Sequence, residues 1–342
     1  MNKAVSFGEI MLRLKSPGRE RLFQSPTLEA SFGGGEANVA VSLARFGMEA
    51  VFVGALSKDA VGDAALAALR GHGVDVSFVK RSDLRTGIYF LETGADSRPS
   101  LVVYDRSGSA ASAAAPGDFD WPAIFAGASW FHVTGITPAL SRSAADAALE
   151  AARAARAAGA KVSLDLNYRK KLWNYGVKAP TVMRELAKLC DVLVANEEDI
   201  QLALGIGADS DPSAGKVEAE SYRALAERTK AEFPNLEAVA ITLRESKSAD
   251  RNGWSAVLLG KSGFRSSRKY EIQDIVDRVG GGDAFAAGLI FGLLEYRDEA
   301  RALEFAVAAS ALKHTIPGDF NLSTKEEAER LAAGDGSGRV LR

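Results

Sequence analysis

The chain has 342 residues, of which 47% are hydrophobic and 25% charged, a balance that excludes intrinsic disorder and allows a large buried core. Its 42 basic and 44 acidic residues nearly cancel and form no long basic stripe, which argues against a DNA or RNA partner and leaves a nucleotide ligand open. With a single cysteine, Cys190, no intramolecular disulfide can form; the first segment reads as a strand and not a signal sequence, and no apolar run reaches the roughly 18 residues of a membrane helix, so a reducing cytoplasm and no membrane partner are expected.

Short apolar runs then alternate with longer helical patterns. Strands are predicted at residues 4–8, 51–56, 130–134, 162–166, 192–195 and 238–242, and helices at 36–46, 60–71, 143–158, 180–189 and 221–233. Such alternation implies βαβ units, a mostly parallel sheet and helices on both faces. The Ala-rich stretch 144–160 carries Arg, Asp and Glu at helical intervals, which makes it an ordinary amphipathic helix. Two stretches, about 12–32 and 85–106, break the rhythm with strand patterns and no helix between them. In the second, TGIYFLET and PSLVVYD flank the polar turn GADSR and read as a β-hairpin. These strands are expected to form a small sheet projecting from the α/β body, suited to a lid or a dimer surface. Further on, 254–259 and 268–272 look like antiparallel strands around a Gly-Lys-Ser-Gly turn, and apolar helices follow at 283–294 and 299–313.

The chemistry concentrates in Asp277-Arg278-Val279-Gly280-Gly281-Gly282-Asp283, directly before a helical run. Glycines without a Cβ let backbone amides approach a ligand closely, and a helix start adds unpaired N–H groups and the positive dipole end. Together they make an anion site suited to phosphate. A carboxylate at the mouth of such a site repels a bound anion, so Asp283 needs a reason to be there. Accepting a proton from a substrate hydroxyl that attacks a γ-phosphorus supplies one. Taken alone, a GGGD loop with the Asp merely capping its helix is the plainer explanation.

DRVGGGDAFAAGLIFG resembles the C-terminal signature of the ribokinase-like (PfkB) carbohydrate kinases, whose loop usually reads GAGD, with Gly281 in place of the alanine. Gly33-Gly34-Gly35-Glu36-Ala37-Asn38 resembles the N-terminal glycine signature of the same family, in the expected order and at the expected separation. FGEIMLRL, RPSLVVYDR, DLNYRKKLW, VANEEDI and LKHTIPGDF extend the resemblance over nearly the whole chain, toward the members that phosphorylate 2-keto-3-deoxygluconate. The resemblance implies one ribokinase-like domain over residues 1–342, a three-layer sandwich with a mostly parallel central sheet and a projecting β-sheet lid. It also implies ATP-dependent phosphorylation of that sugar acid at its 6-hydroxyl, with Asp283 as base and the amides of Gly280, Gly281 and Gly282 holding developing charge.

A sugar acid needs a cation for its carboxylate and hydrogen-bond partners for its hydroxyls. Arg169 follows a predicted strand, where open α/β sheets bind ligands, and its planar fork suits a carboxylate. Arg106, Tyr89 and Tyr104 lie on the predicted hairpin. Strand tyrosines by themselves are ordinary packing partners; the resemblance places Gly34, Tyr89, Tyr104, Arg106 and Arg169 around the keto-sugar acid. Asn38 suits either a sugar hydroxyl or the first turns of its own helix.

Asn196-Glu197-Glu198-Asp199 resembles the family's N-x-x-E, whose acidic residue acts on magnesium through water. Here Asp199 stands at the last position, one methylene shorter, with Glu198 beside it. Acidic residues in a first helical turn are also favoured by the dipole alone. TLRES replaces the usual T-L-G-x-x-G turn, so Thr242 is expected near the phosphates, with Asn196, Gly280 and Gly282, while adenine contacts cannot be carried over. Asp277 matches a position associated with a monovalent cation, which raises a potassium requirement. His132 reads as core, His314 lies near a helix end where cations are favoured, and Cys190 has no basic activator nearby in sequence.

Kinases of the same fold acting on fructose or ribose, and a catalytically inactive sugar-binding protein, are the competing readings. A dinucleotide-dependent oxidoreductase is disfavoured, because the early glycines do not have the G-x-G-x-x-G spacing. The projecting strands predict a homo-oligomer formed through the lid.

Overall fold

A computed structural model describes residues 2–207 and 219–336. The main sheet has nine strands. In spatial order they are Gly263–Ser266, Asn252–Gly260, Ala238–Ser246, Val192–Ala195, Lys161–Asp165, Ala128–Thr134, Lys3–Phe7 and Glu49–Val53, with Tyr270–Ile272 also paired to Asn252–Gly260. From Ala238–Ser246 to Glu49–Val53 every pairing is parallel, and the pairings made by Asn252–Gly260 are antiparallel. Parallel neighbours need crossover helices, so both faces are covered and the strands read as near-continuous apolar runs.

One face packs against the helices Arg142–Ala157, Ala179–Ala187 and Ala219–Glu232, the other against Gly35–Arg45, Gly281–Glu295 and Glu299–Lys313. The first of these buries an alanine stripe from Ala144 to Ala155, which brings its backbone close to the sheet. Helices Gly281–Glu295 and Glu299–Lys313 meet still more tightly. A Cβ on Gly288 would stand 2.7 Å from the Ala306 Cα, and one on Gly292 would stand 2.6 Å from the Ala302 Cα. Glycine at both positions is what lets the anion-loop helix lie against its partner.

The expected lid is present as a four-stranded sheet ordered Glu29–Gly33, Met11–Lys15, Ile88–Glu92, Leu101–Asp105. Its last two strands form the predicted hairpin, with Tyr89 opposite Tyr104. Two details differ from expectation. The apolar run 51–56 divides into Glu49–Val53 and Ala55–Ser57, the second pairing with Lys80–Ser82 in a separate two-stranded sheet. The break is Gly54, where a Cβ would stand 2.4 Å from the Gly8 carbonyl oxygen, so the chain leaves the main sheet there. The Gly260–Gly263 turn joins Asn252–Gly260 to Gly263–Ser266, and the strand expected at 268–272 shortens to Tyr270–Ile272, farther along the same neighbour. Among the described residues, no helix is long and apolar enough to cross a membrane.

Candidate active site

At the carboxyl ends of the parallel strands, under the lid, lies a cavity of about 550 Å³. This is the usual ligand position in an open α/β sheet and a usual size for a small-molecule site. It brings together Gly34, Asn38, Tyr89, Tyr104, Arg106, Arg169, Asn196, Glu198, Asp199, Thr242, Gly280, Gly281, Gly282 and Asp283. Asp277 lies just outside, buried behind the loop.

Gly280 precedes the helix Gly281–Glu295 in the left-handed region, φ 84°, where a Cβ would also stand 2.0 Å from the Asp319 carbonyl oxygen. The Gly281 position faces His314, whose ring carbon would lie 2.7 Å from a Cβ. That contact accounts for glycine where the family loop commonly has alanine. No atom lies within 4 Å of a Cβ built on Gly282, so this side of the loop is open. The first amides of a helix have no intrahelical acceptor; the Ala284 N–H reaches the Gly280 carbonyl at 2.9 Å, while those of Gly282 and Asp283 have no partner among the described residues.

Asp283 is buried, and its Oδ2 accepts a hydrogen bond from Asn38 Nδ2 at 2.6 Å. Burial pushes its pKa up to about 7; Asp319 and Glu36 add to the rise, and Asn38 and Arg169 oppose it. Asn38 stabilises the start of its own helix, one of the two expectations for it, and also makes a contact that was not expected. Its Oδ1 accepts from the Gly34 N–H at 3.2 Å at the helix start, and its amide holds the Asp283 carboxylate. Gly34 is required by close approach and not by its torsion, since a Cβ would stand 2.0 Å from the Glu9 carbonyl oxygen.

The lid supplies the opposite wall. Tyr89 is buried and donates to Asp319 Oδ1 at 2.5 Å, while Tyr104, 48% exposed, packs beside it at a ring distance of 5.8 Å. Arg106 is buried, with its guanidinium carbon 4.0 Å above the Tyr104 ring. Its Nη1 forms an ion pair with Glu9 at 3.2 Å without hydrogen-bond geometry, and Nη1 and Nε make no hydrogen bond. A buried guanidinium with unused donors is suited to an anion entering the cavity.

Arg169 is exposed on the far wall, near Asp165, Asp199 and Asp283. Burial, reinforced by Asp199 and Asp283, holds the Asp165 carboxyl well above the usual range, and burial brings Asp199 to about 6. The Asp199 N–H donates to Asn196 Oδ1 at 2.8 Å, so Asn196 caps this turn. Among the described residues, no three acidic, His or Cys side chains stand close enough to hold a metal ion directly.

Two acidic cavity residues were not singled out from the sequence. Asp165 lies one residue before the end of the strand predicted at 162–166 and ends the observed strand Lys161–Asp165, and its position there was the available signal. Asp319, in the segment PGDF, gives no local signal; it reaches the site by bonding to Tyr89 and to Arg13, the latter at 2.5 Å.

Where the sequence leads us to expect the nucleotide, TLRES does not turn. The strand Ala238–Ser246 continues through it, pairing Thr242 with Ala256 and Arg244 with Trp254. Arg244 and Arg278 both line the cavity there, and Arg278 is pinned by the carbonyls of Ser248 and Ala249 at 3.2 and 2.6 Å. Burial and the neighbouring Arg244 lower the Arg278 pKa, as expected of two cations facing one space.

The remaining candidates fall away from the cavity. His132 is core, its Nδ1 at 2.8 Å from Ser163 Oγ, and burial pushes its pKa down to about 3. Cys190 is buried, and burial raises its thiol pKa. His314 caps the helix Glu299–Lys313 but is no cation, because burial lowers its pKa to about 4; the charge at that helix end belongs to Lys313.

Comparison with known proteins agrees with this fold. The model of the pfkB family carbohydrate kinases matches residues 1–325. A crystal structure of 2-dehydro-3-deoxygluconokinase from Thermotoga maritima superposes with a TM-score of 0.91 at 47% identity, covering 97% of this chain and 98% of that one. The 2-dehydro-3-deoxygalactonokinase of Haloferax volcanii is 33% identical over 98% of both chains. The 2-dehydro-3-deoxygluconokinase of Bacillus subtilis is 32% identical over 95% of this chain and 93% of its own. A cavity pairing a helix-start anion site with a buried carboxylate, on a chain that aligns end to end with such enzymes, places the protein in the pfkB family of carbohydrate kinases.

Proposed function

We propose that this kinase transfers the γ-phosphoryl group of ATP to the 6-hydroxyl of a 2-keto-3-deoxy sugar acid, 2-keto-3-deoxygluconate in the first instance. The observation that carries the reading is the presence of two groups in one cavity. The Asp283 carboxylate stands at the open glycine loop, and the partly unpartnered Arg106 guanidinium stands under the lid. A substrate with a carboxylate at one end and a primary hydroxyl at the other spans these two.

In this mechanism the substrate carboxylate meets Arg106, with Tyr89 and Tyr104 along the sugar. The 6-hydroxyl donates its proton to Asp283 while its oxygen attacks the γ-phosphorus. The bond from that phosphorus to the β-phosphate bridging oxygen breaks, and ADP leaves. The amides at Gly282 and Asp283 take the charge on the transferring group. Arg244, Arg278, Asn196 and Thr242 line the path of the triphosphate. The raised Asp165 and Asp199 carboxyls, with Glu198, form a donor set that fits magnesium held largely through water. Bound there, that ion would neutralise phosphate charge.

An ADP-release assay with ATP, magnesium and a panel of sugars tests the reading. We expect turnover of 2-keto-3-deoxygluconate or its galactonate-derived epimer, and little of gluconate, fructose or ribose. Efficient turnover of fructose would move the protein to a neutral-sugar kinase. ATP consumption with none of them would overturn the substrate class. The same panel separates the two epimers.

A homo-oligomer through the lid belongs to the same proposal. The outer strand Leu101–Asp105 leaves Leu101 and Val103 49% and 45% exposed, and Phe23 on the lid is 69% exposed. An edge strand of this kind is a template for pairing. Sedimentation at micromolar concentration is expected to give a dimer; a monomer across the concentration range would remove the lid as an interface.

A further inference from the structure

Lys313 is fully buried, yet no step above uses it. It lies in the last turn of the helix Glu299–Lys313, and its side chain runs beside Gly280, with Cε 3.2 Å from where a Cβ there would be. Its ammonium donates to two backbone carbonyls, Asp277 at 3.2 Å and Ile316 at 3.1 Å. The Asp277 carbonyl opens the anion loop, and the Ile316 carbonyl belongs to the segment leading to Asp319. Backbone carbonyls converging beside a carboxylate are the donor set of a monovalent cation site, where carbonyl oxygens replace the ion's hydration shell.

The Asp277 carboxylate is also fully engaged. It pairs with Arg13 and accepts from the Val279 and Gly318 N–H groups, each at 3.1 Å. Arg13 binds Asp319 as well, so two cations, Arg13 and Lys313, balance two buried carboxylates. A bound potassium ion would find its carbonyls occupied, its carboxylate paired and the local charge already neutral. The residues around Asp277 therefore do not fit the potassium that the family resemblance raised.

We propose that Lys313 is a built-in monovalent cation, a positioning residue whose ammonium holds the anion loop in place and frees the kinase from any need for potassium. Burial lowers the lysine pKa while Asp277 and Asp319 oppose that, consistent with a charge retained by its acidic neighbours. The loop is clamped to the same helix end by two further bonds. Ser310 Oγ donates to the Gly281 carbonyl at 2.6 Å, and the Val276 N–H donates to the His314 carbonyl at 2.9 Å. Loss of the ammonium therefore leaves a folded frame with a vacant cation position.

The test compares kinase rate and thermal melting in potassium, ammonium and tetramethylammonium chloride at equal ionic strength. The rate arm rests on the kinase reading above; the melting arm does not, so failure of either can be told apart. For the native protein, rate and melting temperature should be the same in all three salts to within about twofold in rate. A several-fold gain with potassium would overturn the proposal. Lys313→Ala leaves two buried carbonyls without their donor and removes one positive charge beside Asp277 and Asp319, and should lose about tenfold or more in tetramethylammonium. Potassium or ammonium should restore most of that loss and raise the melting temperature. A folded Lys313→Ala that no small cation rescues, or a Lys313→Met with native rate and melting, would mean that the ammonium is not a cation stand-in. If neither variant folds, the native salt series decides alone.

Discussion

Asp283→Asn is expected to abolish nearly all sugar-dependent ATP consumption while making the protein harder to unfold at pH 8. The loss in kcat should be about 10²–10⁴-fold, the usual contribution of a positioned base. KM values should change little, because the amide keeps an oxygen to accept the Asn38 hydrogen bond. The gain in stability follows from linkage. The buried carboxyl has a pKa of about 7 against an ordinary 3.8, so between these pH values the folded chain holds a proton that the unfolded chain has released. Stability from this group is therefore present at low pH and is lost as pH rises through about 7. At pH 8 the native protein bears the whole cost of a buried charge, on the order of 4 kcal/mol at about 1.4 kcal/mol per pKa unit. The Asn variant does not bear it, and its melting temperature should rise by several degrees at pH 8 and hardly at all near pH 4. The native pH–rate profile should show the same group. Because the charged form accepts the proton, kcat/KM should rise tenfold per pH unit below about 7 and level off above it. A melting gain without loss of turnover would leave Asp283 buried and strained but not the base.

The same residue shows how far the sequence reached. Asp283, the three glycines before it and the helix behind them form one contiguous segment, so their placement at a helix start was legible from local order alone. The crossover rhythm was equally local, and so was the lid hairpin, whose strands flank a polar turn. The failures are contacts between distant segments. Asp319 meets Tyr89 across 230 residues and Arg13 across 306, and nothing near PGDF announces either partner. Gly54 breaks a continuous apolar run only because the Gly8 carbonyl passes beside it. Ser246 stays in its strand because Asn252–Gly260 returns to pair with it, which the local composition of TLRES does not encode. His314 and Lys313 are adjacent and both buried, and only the distant Asp277 and Asp319 beside Lys313 decide which of them carries charge at the helix end.

The two arginines give the second large effect, and they should separate. From sequence, Arg169 was expected to clamp the substrate carboxylate. In the fold it faces Asp165, Asp199 and Asp283, a neighbourhood that already supplies negative charge. Arg106 has Glu9 at 3.2 Å in poor geometry, Tyr104 beneath its plane, and donors left over in a buried position. A carboxylate entering the cavity gains most from the guanidinium whose hydrogen bonds are unmade. A charge-assisted bond of this kind contributes about 1.5–3 kcal/mol, so Arg106→Gln should raise the sugar-acid KM by about 10–150-fold and leave kcat within a few-fold. Arg169→Gln should do the reverse. Without that cation the three carboxyls repel each other and the incoming phosphate more strongly, so kcat should fall about tenfold or more with a modest change in KM. Steady-state kinetics on both variants decide between the roles. If Arg169→Gln raises KM for the acid and Arg106→Gln does not, the substrate lies the other way round in the cavity, and the hydroxyl presented to Asp283 would have to be chosen anew.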